Sequence, residues 1–311
     1  MFEAVLAIRT YMSPSHSESP SSSITFHVAW THALANPTRG LALAREKGWV
    51  LVWDNQDWLY LLNQAGERQA QMHAPGKLVA AACADDGSAY VAVGAGGEIW
   101  WLAPDLSSRW ERSVPHPATA LALDPLGQYL AVADAGSNVS LFDCQGSAGV
   151  RFQSPRSLHH LAFVPTAPFI LAGSDYGLAA CFDLKGKLVW RDGLVAHIGS
   201  LTASGSGQSV ILACFTEGLQ RYSLAGKNLG RQSLTEPCRS AVLTYDGSHL
   251  LVAGIGPRLH WTDAEYKILS THALQKPAAA VGLTPLGDRA VIAGTDGFLV
   301  GIELRRSPDR T

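Results

Sequence analysis

The strongest constraint in this sequence is a unit that repeats every 40 residues along most of the chain. A small residue closes a tight turn in each unit, and successive turn residues lie 39 residues apart once and 40 residues apart in every later unit. The seven turn residues are Gly48, Gly87, Gly127, Ala167, Gly207, Gly247 and Gly287. Independent loops vary in length, so this constant period indicates stacked copies of one structural unit.

Each unit has the sequence pattern of β-strands. Short runs of β-branched, aromatic and small residues follow the turns and end at turn-forming residues. These runs are WVLVW (49–53), AYVAV (89–93), QYLAV (128–132), FILAG (169–173), SVILA (209–213), HLLVA (249–253) and RAVIA (289–293). A third strand follows each run, and segments such as KLVWR (187–191) and YKILS (266–270) mark a fourth. Four strands in each of seven units predict an all-β, seven-bladed β-propeller of four-stranded antiparallel blades.

The last unit lacks a fourth strand, because only about eight residues follow its third strand. The segment ITFHVAWTHALANP (24–37) is similar to YKILSTHALQKP (266–277), which follows a third strand inside the repeat. We therefore expect residues 24–30 to form the outer strand of the seventh blade, so that an N-terminal outer strand closes the ring and leaves no free sheet edge at that place. The predicted domain is 24–305, with a flexible N-terminal segment at 1–23 and a C-terminal tail at 306–311.

Short motifs recur at the strand ends and in the hairpin turns of the units. They are the strand-ending pairs Phe142-Asp143 and Phe182-Asp183, the near match Trp261-Thr262-Asp263, and the hairpin turns DYG (175–177) and TDG (295–297). In these motifs the chain resembles the WD-repeat propellers and their bacterial relatives. The resemblance covers nearly all of residues 24–303 and implies the propeller fold, while leaving the function open. The segment KGKLVWRDG (185–193) is similar, once, to the quinoprotein type of propeller repeat.

The net charge and the cysteine spacing indicate which partners to exclude and which cellular compartment to expect. The formal net charge is -2, which gives no global attraction to nucleic acid or to an anionic membrane, so we expect neither as a partner. No apolar run is long enough to span a bilayer. The five cysteines show no CxxC spacing, so we expect reduced thiols in a cytoplasmic protein and no metal site.

A search for catalytic motifs finds no P-loop, GxGxxG, HExxH, GxSxG or EF-hand pattern, and we expect no cofactor. The adjacent pair His159-His160 is the best candidate for a site in the central channel. Successive side chains of a strand point to opposite faces, so we expect one packed and one channel-facing histidine that cannot chelate one ion together.

Basic residues recur 8 to 11 residues before the seven turn residues. This window covers 28 positions and holds five Lys or Arg, whereas the 24 Lys and Arg of the 311-residue chain predict about two. In the other two blades, a histidine occupies this window instead of a Lys or Arg. The candidate partner-binding residues are Arg39, Lys77, His116, Arg156, His197, Arg239 and Lys276. They either form a cationic rim around the central opening or pair with the turn acids Asp57, Asp175, Glu217 and Asp296.

The sequence favours a non-catalytic protein-interaction scaffold whose partner docks on the face with the basic rim. The expected partner is a protein, recognised through an acidic or phosphorylated peptide. One alternative is a propeller enzyme or small-ligand sensor with its site in the central channel. A further alternative is a structural subunit of a larger complex.

Overall fold

The structure, a computed structural model, describes residues 24–193, 196–234 and 236–306. Within these residues, 28 strands form seven four-stranded antiparallel sheets. The prediction of a seven-bladed β-propeller is confirmed. Among the described residues, no helix is long and apolar enough to cross a membrane. The expected segment 1–23 and all but the first residue of the tail 306–311 lie outside the described residues.

The first four blades follow one another along the chain. Blade 1 contains β2 (Thr38–Ala44), β3 (Trp49–Asp54), β4 (Trp58–Leu62) and β5 (Arg68–His73). Blade 2 contains β6 (Leu78–Cys83), β7 (Tyr90–Gly94), β8 (Glu98–Leu102) and β9 (Ser108–Ser113). Blade 3 contains β10 (Ala118–Leu123), β11 (Tyr129–Asp134), β12 (Asn138–Asp143) and β13 (Ala148–Gln153). Blade 4 contains β14 (His160–Phe163), β15 (Phe169–Gly173), β16 (Ala179–Asp183) and β17 (Leu188–Asp192).

The remaining three blades complete the ring. Blade 5 contains β18 (Ile198–Ala203), β19 (Val210–Cys214), β20 (Gly218–Tyr222) and β21 (Asn228–Gln232). Blade 6 contains β22 (Cys238–Leu243), β23 (Leu250–Gly254), β24 (Arg258–Thr262) and β25 (Ile268–Ala273). Blade 7 contains β26 (Ala278–Leu283), β27 (Arg289–Gly294), β28 (Phe298–Arg306) and, as its outer strand, β1 (Ile24–Ala33).

The N-terminal strand closes the ring as the sequence predicts. Strand β1 runs antiparallel to β28, from Ile24 opposite Arg306 to Ala33 opposite Phe298, with a register shift between Val28 and Trp30. Ile24 and Phe26 are buried in the apolar cluster between blades 6 and 7, together with Ile302 and Leu304 of β28. The strand therefore contributes both a hydrogen-bonded edge and apolar packing.

Alternating strand directions give the ring two different faces. The turns between the second and third strands, and the loops from each outer strand to the next inner strand, lie on one face, here called the top face. The turns after the inner strands and before the outer strands lie on the opposite, bottom face. The periodic glycines occupy these bottom turns, and their φ angles of +63° to +74° explain why glycine recurs there. Ala167, the exception, does not have a positive φ.

A bulge interrupts every inner strand at its top end, next to the channel mouth. In blade 1, Thr38 is paired with Asp54 and Gly40 with Trp53, so Arg39 is an extra residue. The same register shift occurs in blades 2, 3, 5, 6 and 7. In blade 4, the His159 amide donates to Gly173 O while His160 is the register partner of Gly173, which gives the same two-to-one arrangement. A bulge re-aims the side chains of the extra residue and its neighbour.

Aromatic residues of the outer strands lock each blade onto the next. The Trp190 ring lies against Gly226 in the turn before β21, where an added Cβ would lie 2.5 Å from the indole. The Trp190 Nε1 donates to Leu224 O at 2.7 Å. Phe152 packs in the same way against Gly186 in the turn before β17. Each turn before an outer strand therefore lies beside the outer strand of the preceding blade.

His272 makes ring stability dependent on pH. It is 4% exposed in β25 and stacks on Phe26 of β1 at 3.5 Å between ring centroids, across the closing seam. Burial lowers the pKa of His272 from 6.5 to about 4. Because the unfolded chain then binds the proton more tightly, stability from this group is complete above about pH 6.5 and is lost as the pH falls toward 4.

We expect wild-type protein to lose about 2 kcal/mol of unfolding free energy, relative to His272→Phe, between pH 7.5 and 4.5. Asp85 changes the stability with pH in the opposite direction. Burial raises the pKa of Asp85 to about 6, so its contribution to the free energy of unfolding falls as the pH rises toward 6. The measurement is therefore the difference between the two proteins in denaturant titrations at each pH. A difference that does not change with pH would contradict the assignment to His272.

Candidate binding face

The seven predicted rim residues all lie on the top face, but they occupy three different positions there. The first paired residue of each inner strand provides a common reference point. Arg39 and Arg239 are the bulge residues that follow it, and Lys77 and His197 directly precede it. His116 and Lys276 lie one residue further back in the loop. Arg156 has the equivalent place in the 40-residue repeat, although the register of blade 4 begins only at His160. The structure therefore forms a basic rim without seven-fold regularity.

The cations of the rim do not pair with the turn acids. Among the described residues, none of the five Lys and Arg side chains of the rim forms a salt bridge with a carboxylate. The Arg39 Nη1 donates instead to Leu78 O of blade 2 at 2.8 Å. Arg239 is half-buried, and its Nε is buried without a hydrogen-bond partner. Lys77, Arg156 and Lys276 are exposed.

The turn acids are engaged by other groups. Asp57 accepts the Leu78 amide at 2.8 Å, Glu217 pairs with Arg231, and Asp296 accepts the Phe298 amide at 3.1 Å. Asp175 faces the histidine pair of blade 4. The exposed cations Lys77, Arg156 and Lys276 therefore keep their positive charge available to a ligand from solvent.

Four candidate residues meet around the DYG turn, Asp175 to Gly177, at the junction of blades 4 and 5. The Arg156 guanidinium lies over Gly177, where an added Cβ would be 3.4 Å from Nη1. Across the junction, Tyr176 forms an isolated backbone bridge with His197, and their rings lie 4.9 Å apart. The histidine pair of blade 4 adjoins the same turn.

The two histidines do not point apart as strand alternation predicts. His159 Nδ1 lies 3.7 Å from Asp175 Oδ1, and His160 Nε2 lies 3.9 Å from the same oxygen. The bulge explains the difference, because both residues oppose Gly173 and strict alternation fails there. His160 Nε2 also contacts Ile198 O at 3.0 Å, and burial lowers its pKa against the opposing effect of Asp175.

Tyr176 is a residue of this cluster that the sequence analysis missed. Its side chain is 45% exposed beside His197, so it offers an apolar ring and a hydroxyl to solvent. The available signal was an aromatic residue at the centre of a hairpin turn, where glycine and small polar residues are usual. The cluster around the DYG turn therefore combines the Arg156 cation, the Tyr176 ring and the nearby histidines at one place on the rim.

Polar networks tie the top-face loops to the blades. In blade 6, His260 Nε2 lies 3.0 Å from Glu236 Oε1 and its Nδ1 lies 2.9 Å from Thr271 Oγ1. The order Thr, His, Glu is that of a nucleophile, base and orienting acid, but His260 is only 2% exposed. A substrate cannot reach this imidazole, so the network fixes the loop that enters blade 6.

Burial keeps four of the five thiols protonated near neutral pH. Cys181, Cys214 and Cys238 are buried, whereas Cys83 and Cys144 are half-buried, and all five are free. Burial raises the pKa of the Cys181, Cys214 and Cys238 thiols to about 12 and that of Cys83 further, which removes the thiolate near neutral pH. Among the described residues, no group of three or more His, Cys, Asp and Glu is placed to hold a metal ion.

Comparisons with known proteins do not assign the chain to a family. No protein-family model matches the chain, and no curated protein is significantly similar to it. Membership of the WD-repeat family therefore stays a prediction from the strand-ending and turn motifs. The structure itself establishes a seven-bladed β-propeller.

Proposed function

We propose that this chain is a WD-repeat-like propeller that acts as a non-catalytic scaffold for protein interaction. A partner docks on the top face and presents an acidic or phosphorylated peptide to the basic rim. The observation that carries the proposal is the set of rim cations that have no carboxylate partner among the described residues. Charge-assisted hydrogen bonds to a carboxylate or phosphate would satisfy them.

The junction of blades 4 and 5 is the best place for the acidic group. Arg156 provides a guanidinium that can hold two oxygens at once, and Tyr176 provides an exposed ring beside it. The loops belong to a rigid ring, so docking requires little backbone movement and little conformational entropy is lost.

The test is a matched pair of charge reversals probed with an array of phosphorylated and unphosphorylated acidic peptides. We expect Arg156→Glu combined with Lys276→Glu to weaken the best-binding peptide at least about tenfold, which is about 1.4 kcal/mol. Arg109→Glu combined with Arg289→Glu, which reverses two exposed arginines away from the top face, should leave that affinity unchanged. Equal affinity in all three proteins would contradict docking on the rim.

A second candidate function is a small-ligand site at the channel mouth. The observation that favours it is the approach of His159 and His160 to one oxygen of Asp175. Thermal-shift screening with divalent cations, sugars and nucleotides tests it. Stabilisation of about 3 kcal/mol by one compound at 100 times its Kd, lost in His159→Ala with His160→Ala, would favour this function over the scaffold.

A further inference from the structure

The outer wall of blades 4 and 5 carries cations beside exposed aliphatic side chains, away from the top-face rim. Leu188 and Val189 of β17 and Leu229 of β21 are 37%, 46% and 42% exposed. Exposed lysines stand in the turns that precede these strands. The basic-apolar strip is defined by Lys185, Lys187, Leu188, Val189, Lys227 and Leu229.

The strip is continuous around the wall because each turn lies beside the preceding outer strand. Gly186, between the two lysines of blade 4, packs on Phe152 of β13. Gly226, which precedes Lys227, packs on Trp190 of β17. The turn that carries Lys227 therefore lies beside β17, the strand that carries Leu188 and Val189.

The lysines of the strip are unpaired. Among the described residues, Lys185, Lys187 and Lys227 form no salt bridge. Asp183, the acid in the turn of blade 4, is already used, because its Oδ1 accepts the backbone amides of Lys185 and Lys187 at 2.9 and 2.8 Å. The carboxylate is thus committed to the turn and leaves the ammonium groups to solvent.

The corresponding turns of other blades are less basic. Glu67 lies in the turn of blade 1 and Asp105 in that of blade 2, the blade 6 turn holds both Glu265 and Lys267, and residues 144–147 of blade 3 carry no charge. Within the residues that the structure describes, lysines without an acid paired to them are therefore concentrated in the turns of blades 4 and 5. The charge distribution favours an anionic partner at blades 4 and 5.

The edges of these blades can accept an additional strand. In the described part of the chain, β17 pairs with β16 and β21 with β20, and neither has a neighbour on its outer side. A second copy of this chain would bring lysines against lysines, which disfavours pairing between identical edges. An occupant of this site must pair with a free strand edge and neutralise the lysines. An extended polypeptide segment with carboxylates can do both.

An anionic bilayer fits the strip less well than a polypeptide does. Interfacial binding places apolar side chains about 5 to 10 Å into the headgroup region, usually with aromatic residues among them. The exposed apolar residues of the strip are aliphatic and half-covered by their own blades. They follow the curved wall of a ring, whereas a membrane is locally flat.

We propose that the basic-apolar strip binds an extended segment of a partner protein in which acidic and aliphatic residues alternate. The segment adds to the outer edge of β17, its carboxylates contact Lys185, Lys187 and Lys227, and its aliphatic side chains cover Leu188, Val189 and Leu229. This site is separate from the top-face rim and does not depend on the function proposed for it.

The probe is a fluorescein-labelled peptide in which Glu and Val alternate, measured by anisotropy on the full chain. We expect saturable binding that weakens at least about tenfold in Lys185→Glu with Lys187→Glu. The matched control is Arg109→Glu with Arg289→Glu, which reverses two exposed arginines outside both the strip and the top-face rim, and it should bind like wild type. The same peptide with Lys in place of Glu should not bind.

Amide hydrogen exchange locates the bound peptide. Protection of residues 188–192 in the complex supports strand addition to β17. Protection confined to the top face, equal binding by the two charge-reversal variants, or no binding of the Glu-Val peptide would overturn the proposal. Binding to phosphatidylserine vesicles without binding to the peptide would also overturn it, because the occupant would then be a lipid surface.

Discussion

Removal of residues 1–33 is expected to abolish the cooperative unfolding transition of the ring. The deletion takes away β1, the pairing partner of β28 from Phe298 to Arg306. It also takes Ile24 and Phe26 from the seam, each contributing about 1.5 to 3 kcal/mol of burial, and exposes Ile302 and Leu304. With the lost strand pairing, the deficit approaches the whole stability of a domain, about 5 to 15 kcal/mol.

Circular dichroism during thermal unfolding measures this effect, and deletion of residues 1–23 is the matched control. The control retains the whole of β1 and should melt cooperatively at the temperature of the full chain. A synthetic peptide covering residues 24–37, added to the longer deletion, should restore part of the transition. Unchanged melting of the longer deletion would show that the closing strand does not stabilise the ring.

Asp54→Leu is expected to destabilise the protein by about 3 to 5 kcal/mol. Asp54 is fully buried at the top of β3 and accepts hydrogen bonds from the amides of Gln56 and Trp58 at 2.9 and 3.0 Å. Asn36 Nδ2 and the Tyr60 hydroxyl donate to its other oxygen at 2.9 and 3.1 Å. Burial, reinforced by the charge of Asp54, raises the pKa of Tyr60 to about 12.

The leucine variant leaves these donors buried without an acceptor, which is the source of the loss. Asp296→Leu is the control, since Asp296 is exposed in the equivalent region of blade 7 and accepts the Phe298 amide alone. In urea titrations, the free energy of unfolding of Asp54→Leu should lie far below that of wild type. That of Asp296→Leu should lie within about 0.5 kcal/mol of wild type. A small effect of Asp54→Leu would show that water reaches this network.

The architecture could be predicted from the sequence because one period fixes it. The turn glycines need a positive φ, so they recur at an interval that counts blades directly. The similarity between residues 24–37 and 266–277 predicted the closing strand, and β1 confirms it. Both inferences use local patterns that each blade repeats, and repetition removes the ambiguity of a single short strand.

The details of the candidate site could not be predicted in the same way. The inner-strand bulge adds one residue without a sequence signature, so alternation placed His159 and His160 on opposite faces although both approach Asp175. For the same reason, residues counted as one rim fall at three positions, with Arg39 in the bulge and Lys77 before it. Contacts between blades, such as Tyr176 with His197, depend on ring geometry that no single repeat contains.

The size of the native protein tests the central claim, which is that this ring is a scaffold with a protein partner on its top face. The full chain and the Arg156→Glu with Lys276→Glu variant are each expressed in the native source and measured by size-exclusion chromatography with light scattering. We expect the wild-type protein to elute in a complex with a stoichiometric polypeptide partner, and the variant to elute at the mass of the single chain. Elution of both proteins at the mass of the single chain, or in the same complex, would contradict docking through the basic rim.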